Sequence, residues 1–238
     1  MTKKSYRDFV VFFCLTVFIV AHFLLQDYPE TEFYLALMVL SLFGLLLLKH
    51  YHSDKEFPFD FDENLTLPKW AWIVGCTAGV YAVSAFFSGI IAAAGAFSPI
   101  VVPRFGYSVS YFVLGALPTY VNDMLFNITL VAPAEELCKL VTMTALFIFL
   151  TSWTSDKKIR YGLAVGVPIA FWSILHVYSN PVYIGDPLFV VSAFVSGVVL
   201  VIALWKTQSI LAAILCHGFY NCAIIFLMNQ GFLLVPSA

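Results

Sequence analysis

Seven stretches of this chain stay apolar for roughly the thickness of a lipid bilayer. They cover 9–26, 33–49, 70–97, 124–153, 162–184, 187–205 and 209–228. A helix needs about 20 mostly apolar residues to cross the hydrocarbon core, and each stretch approaches or exceeds that. An eighth run, 107–121, is interrupted by Pro118 and followed by Asn122 and Asp123. Only 11% of the 238 residues are charged and the mean hydropathy is +0.92, whereas a soluble domain carries about 25% charged residues. Too few polar groups exist to cover a surface facing water, so the solvent of this chain is lipid. Lipid offers no partner to backbone N–H and C=O groups. The sequence therefore implies an all-α, polytopic transmembrane helical bundle, with seven spans preferred and eight as the alternative.

The chain reads as one transmembrane domain, 1–238, without internal repeats. Its sizeable polar linker, 50–69, holds five acids together with Pro58 and Pro68. A net charge of -2 and the lack of a basic stripe argue against a nucleic-acid partner. Cys14, Cys76, Cys138, Cys216 and Cys222 all lie in apolar stretches, without C-x-x-C spacing, and read as small packing residues rather than disulfides or metal ligands. The first span follows Lys3, Lys4 and Arg7 but ends at Gln26-Asp27-Tyr28-Pro29, a poor signal-peptidase site, so a retained anchor is expected. Basic residues collect in the N-terminal tail, in 49–69, in 154–160 and at Lys206. That alternation predicts a cytoplasmic N-terminus and seven crossings, with 107–121 interfacial or re-entrant. In the eight-span alternative 107–131 crosses and Pro133 starts a new helix. Two glycosylation-type sequons, at Asn64 and Asn127, read as chance matches.

Ionisable side chains at membrane depth are costly and mark functional sites. Here they cluster in three places. The first is Ala132-Pro133-Ala134-Glu135-Glu136-Leu137-Cys138-Lys139. Adjacent helical residues point about 100° apart, so the two acids cannot share one face. Glu136 and Lys139, three apart, can pair. Glu135 is then left without a local counter-ion, as suits a general base. Acids after a proline can also simply complement a helix N-terminus, but the apolar run Met124–Val131 precedes these. The second place is Trp172 to His176, followed by Asn180-Pro181. The third is His217-Gly218-Phe219-Tyr220-Asn221, where His217 and Asn221 share a face and Gly218 leaves room beside the histidine. Taken singly, the last two are as well explained by polar groups that glue helices together. The combination carries the functional reading.

The order Glu-Glu, aromatic-x-x-x-His, His-x-x-x-Asn resembles the CAAX prenyl protease and bacteriocin-processing (CPBP or ABI) family of intramembrane glutamic proteases. The resemblance covers about 124–228, the motif-bearing core. The chain departs from that family's Glu-Glu-x-x-x-Arg: Lys139 comes one position early and Leu140 occupies the arginine position. Glu-Glu-x-x-Lys is similar to PrsW-type proteases, whose second motif carries an acid where this chain has His176. Trp172 replaces the commoner Phe. The resemblance implies an endopeptidase in which Glu135 activates water, His176 helps hold it, and His217 with Asn221 donates to the oxyanion. Glu136, Lys139 and Trp172 would support the site. It implies no cofactor and no metal, a membrane-embedded or lipidated peptide substrate, and a multi-pass protein expected in a prokaryotic plasma membrane.

Three other readings use the same residues. Two Glu and two His are competent zinc or iron ligands, although H-E-x-x-H is absent. Buried Glu, Lys and His also build proton relays in transporters, but no inverted repeat supports that. A non-catalytic scaffold or immunity protein could keep the same motif. On geometry, the reading expects Glu135, His176, His217 and Asn221 to converge on one water-accessible cavity. It expects Glu135 to face the histidines while Glu136 turns away to pair with Lys139.

Overall fold

The computed structural model describes residues 8–16, 30–51, 64–93, 119–178 and 187–229. They are helical apart from short links, and no strand occurs among them. Helix α1 covers 8–16, α2 Glu30–Tyr51 and α3 Leu67–Ala93. Helix α4, Thr119–Phe126, passes through a π-turn, Asn127–Val131, into α5, Ala132–Leu150. Helices α6, Lys157–Tyr178, α7, Pro187–Thr207, and α8, Ile210–Asn229, complete the bundle. Segments Thr31–His50, Leu67–Phe87, Lys157–Leu175 and Val190–Thr207 are each long and apolar enough to cross a membrane, and Ile210–Phe226 is a shorter apolar segment. Residues 107–118, where an interfacial or re-entrant piece is expected, lie outside the described residues, as does most of the first run, 9–26.

The surface is that of a protein in lipid. Phe12, Phe43, Leu46, Val74, Phe86, Val167 and Trp205 all point outward. The polar groups turn inward instead, most of all on α5. Fifteen of its 19 residues are buried, including both acids and Lys139, which puts α5 at the centre of the bundle. Against it pack α2, α6 and α8, and α1 joins through Val10, Val11 and Cys14 beside Leu48, Val141 and Ile148. A second core joins α3, α7 and α8 through Ile73, Val80, Leu200, Ala203, Ala212 and Cys216. The five cysteines are free and four of them are buried, as small packing residues should be.

Two short links set the helix directions. Between α5 and α6, Asp156 caps α6 by accepting from the Lys158 N–H at 2.8 Å. The two helices then run antiparallel, with Phe147 against Tyr161, Met143 against Ile169 and Lys139 against Trp172. Between α7 and α8, Gln208 takes a left-handed conformation (φ 52°), and the Ser209 hydroxyl accepts from the Ala212 N–H at 3.1 Å.

Pro133 stands where the π-turn passes into α5, and the helical path is not interrupted there. Proline has no N–H to give to the preceding turn, and the chain absorbs this by widening the turn before it. The Ala132 N–H reaches back five residues, to the Asn127 carbonyl. Turns of this kind occur mostly as single insertions in α-helices, often at functional sites. This one lies immediately before the two acids.

Candidate active site

Glu135, Glu136 and Lys139 on α5 meet His217 on α8, and none of the four is more than 6% exposed. Lys139 Nζ donates to Glu136 Oε1, the i,i+3 pair expected from the spacing. The same oxygen lies 2.7 Å from His217 Nδ1. A carboxylate held by an ammonium is an acceptor, so Nδ1 carries the hydrogen and donates. The other ring nitrogen, Nε2, lies 3.5 Å from Glu135 Oε2. Glu136 therefore does not turn away from the histidine. The imidazole sits in the notch between two side chains about 100° apart and touches both, one through each nitrogen.

Trp172 on α6 closes one side. Lys139 Nζ stands 4.3 Å from its ring centroid, and its ring meets that of His217 edge-on at 6.3 Å. Tryptophan is the best aromatic partner for a cation, which gives the Trp at this position a physical role beside Lys139. The early lysine is explained in the same way. Position 139 is three residues after Glu136 and faces it, whereas Leu140 is buried against Leu204 and Ala213.

His176 lies on the described backbone of α6, but its side chain is outside the described residues. The antiparallel register locates its backbone. Lys139 is level with Trp172, and one turn towards the N-terminus of α5 matches one turn towards the C-terminus of α6. Position 176 is thereby level with Glu135.

Asn221 is one turn beyond His217 on α8 but does not touch the acids. Its Nδ2 donates to Asn127 Oδ1 at 3.1 Å. Gly218 makes this approach possible, because a Cβ there would stand 2.8 Å from Ile128 Cγ1 and 3.3 Å from Ile128 Cα. The Gly218→Ala substitution should push α8 off the π-turn, at a cost of about 1–3 kcal/mol. It should also lower turnover, since His217 and Asn221 flank the glycine. A detergent melting curve paired with an activity assay checks both parts.

Two contributors escaped the sequence reading. Tyr34 on α2 donates its hydroxyl to Glu135 Oε1 at 3.4 Å, 101 residues away in the chain, and no local pattern could have flagged it. Asn127 stands out in the sequence only as a polar residue in an apolar run, within a sequon that reads as a chance match. Glu135 Oε2 is buried and has no hydrogen-bond partner among the described residues. A shallow groove lined by Ala71, Trp72, Gly75, Cys76 and Val199 shares no residue with this cluster. Among the described residues, no group of three His, Cys, Asp or Glu side chains is arranged to hold a metal ion.

The arrangement thus offers an acid–imidazole pair with one open carboxylate oxygen, a second acid held by a lysine, and an asparagine at the edge. No curated protein and no solved structure matches the chain. The family model described as type II CAAX prenyl endopeptidase Rce1-like matches residues 118–223, a segment that contains both acids, Trp172 to His176, and His217 to Asn221. All three polar motifs lie inside that match, so this segment of the chain is similar to the type II CAAX prenyl endopeptidases.

Proposed function

We propose that the chain is an intramembrane endopeptidase of the glutamic type, hydrolysing a peptide bond with water activated by Glu135. The observation that carries this is the Glu135 Oε2 atom, a buried carboxylate oxygen without a hydrogen-bond partner among the described residues, 3.5 Å from His217 Nε2. An acceptor in that position suits a water molecule on its way to a carbonyl carbon.

In this mechanism the water oxygen bonds to the scissile carbonyl carbon as its proton passes to Glu135. The carbonyl π pair moves onto oxygen. Donors aimed at that oxygen stabilise it, supplied by Asn221 Nδ2 and by His217 Nε2 when protonated, while His176 helps hold the attacking water. Glu135 then returns the proton to the amide nitrogen as the oxyanion pair re-forms the carbonyl and the C–N bond breaks, leaving a carboxylic acid and an amine; the acid then gives its proton to the amine or to solvent. Glu136 orients His217 through Nδ1, and Lys139 neutralises Glu136. The substrate class is a membrane-embedded or lipidated peptide.

The test uses the purified chain in liposomes with a farnesylated peptide ending in Cys-aliphatic-aliphatic-X, in the presence of a strong chelator. The expected result is release of the C-terminal tripeptide, identified by mass, at a rate the chelator leaves unchanged. Loss of cleavage on chelation, restored by zinc, would replace the metal-free mechanism by a metal-dependent one. A chain that releases no tripeptide at all contradicts the lipidated-substrate reading.

A further inference from the structure

The π-turn ahead of the acids holds a side chain that the mechanism above does not use. Asn127 is 6% exposed and lies in the wide turn created before Pro133. Its Nδ2 donates to the Asp123 backbone carbonyl at 2.9 Å. Its Oδ1 accepts from Asn221 Nδ2 at 3.1 Å.

These two bonds have a fixed polarity. A backbone carbonyl can only accept, so the NH2 end of Asn127 must face Asp123. The oxygen of Asn127 must then face α8, and only the NH2 end of Asn221 can meet it. An amide side chain is otherwise free to present either end. Here the choice propagates from one backbone oxygen through Asn127 to Asn221. One hydrogen of the Asn221 amide is spent on Asn127. The other is left pointing as a donor, with its direction set. The approach of α8 is secured on both sides of Asn221. Gly218 lies against Ile128, and the Cys222 thiol reaches the Met124 carbonyl at 3.4 Å.

We infer that Asn127 is a positioning residue that locks the Asn221 amide with its N–H end presented to the reacting carbonyl, using the π-turn as its mount. The inference rests on Asn221 acting at the oxyanion. Without Asn127 the Asn221 amide can rotate, and its oxygen then faces the developing negative charge part of the time. A donor needed only in the transition state acts on kcat rather than on KM.

The test uses Asn127→Ser in the liposome assay with the farnesylated peptide. Serine loses the reach to Asn221. Its hydroxyl can still close on the Asp123 carbonyl, as Thr129 closes on Leu125 at 2.6 Å and Ser173 on Ile169 at 2.7 Å, so the turn is kept. The expected result for Asn127→Ser is a kcat at least about tenfold lower, the scale of one lost transition-state donor or somewhat less. Its KM should stay within about twofold and its melting curve close to wild type. In an Asn221→Ala background, Asn127→Ser should add little, since the group it positions is gone. The inference is overturned if Asn127→Ser keeps full kcat or if the two losses multiply. An Asn221→Ala variant with wild-type turnover removes Asn221 from the mechanism, and this inference falls with it. An impaired Asn221→Ala beside an unimpaired Asn127→Ser overturns this inference alone.

Discussion

Replacing Glu135 by glutamine should abolish turnover and leave the protein folded. The amide keeps the shape of the side chain and an oxygen at the Oε1 position for the Tyr34 hydroxyl. It also removes a buried charge 3.5 Å from His217, so the weakened contact is offset by relief of the cost of burying a carboxylate. What it lacks is a base. Proton transfer by a positioned side chain contributes about 10²–10⁴-fold, and a loss of that size in kcat is expected. Turnover of the farnesylated peptide by Glu135→Gln, with its melting temperature in detergent, measures both parts. A variant that keeps more than about a tenth of wild-type kcat assigns the base elsewhere.

Glu136→Gln should instead damage fold and activity together. Glu136 Oε1 serves Lys139 and His217 at once. Neutralising it strands an ammonium that is 2% exposed, and breaking a buried pair by removing one partner typically costs about 3–5 kcal/mol. The melting temperature and the folded yield should both drop. Because Glu136 also fixes the orientation of His217, the folded fraction should be impaired as well. Contact between Glu136 and the histidine makes that second loss larger than the sequence alone implied. A double variant separates the two effects. Glu136→Gln with Lys139→Met removes both charges and should restore most of the stability, since a buried pair can often be exchanged for apolar groups of similar size. It should not restore activity, because the anchor of His217 Nδ1 stays weakened. Full activity in the double variant would reduce Glu136 to a counter-ion.

The helices were legible because lipid demands apolar surface on every outward face. The runs 33–49, 187–205 and 209–228 match α2, α7 and α8 to within a few residues. Run 162–184 begins after α6 does, because Lys157, Lys158 and Arg160 form its polar first turn. The Glu136–Lys139 pair was legible because helix spacing alone determines an i,i+3 contact. The geometry between helices was not. The angle between two acids says nothing about a histidine 81 residues on that fits between them. The π-turn was hidden too, since Pro133 alone does not say whether a helix breaks or widens. Tyr34 and Asn127 matter only through contacts that the assembled bundle creates. Asn221 was picked out by its spacing from His217, but its partner on the π-turn could not be read from that spacing.

The central claim is that peptide hydrolysis takes place at the buried cluster of Glu135 and His217. The most direct measurement is a structure of the Glu135→Gln variant with the uncleaved farnesylated peptide bound. The account predicts the scissile carbonyl carbon within about 3–4 Å of a water held by the residue 135 side chain, with its oxygen turned towards the His217 and Asn221 donors. A peptide seated in the groove of Ala71, Trp72 and Gly75, with its scissile bond out of reach of residue 135, would contradict it.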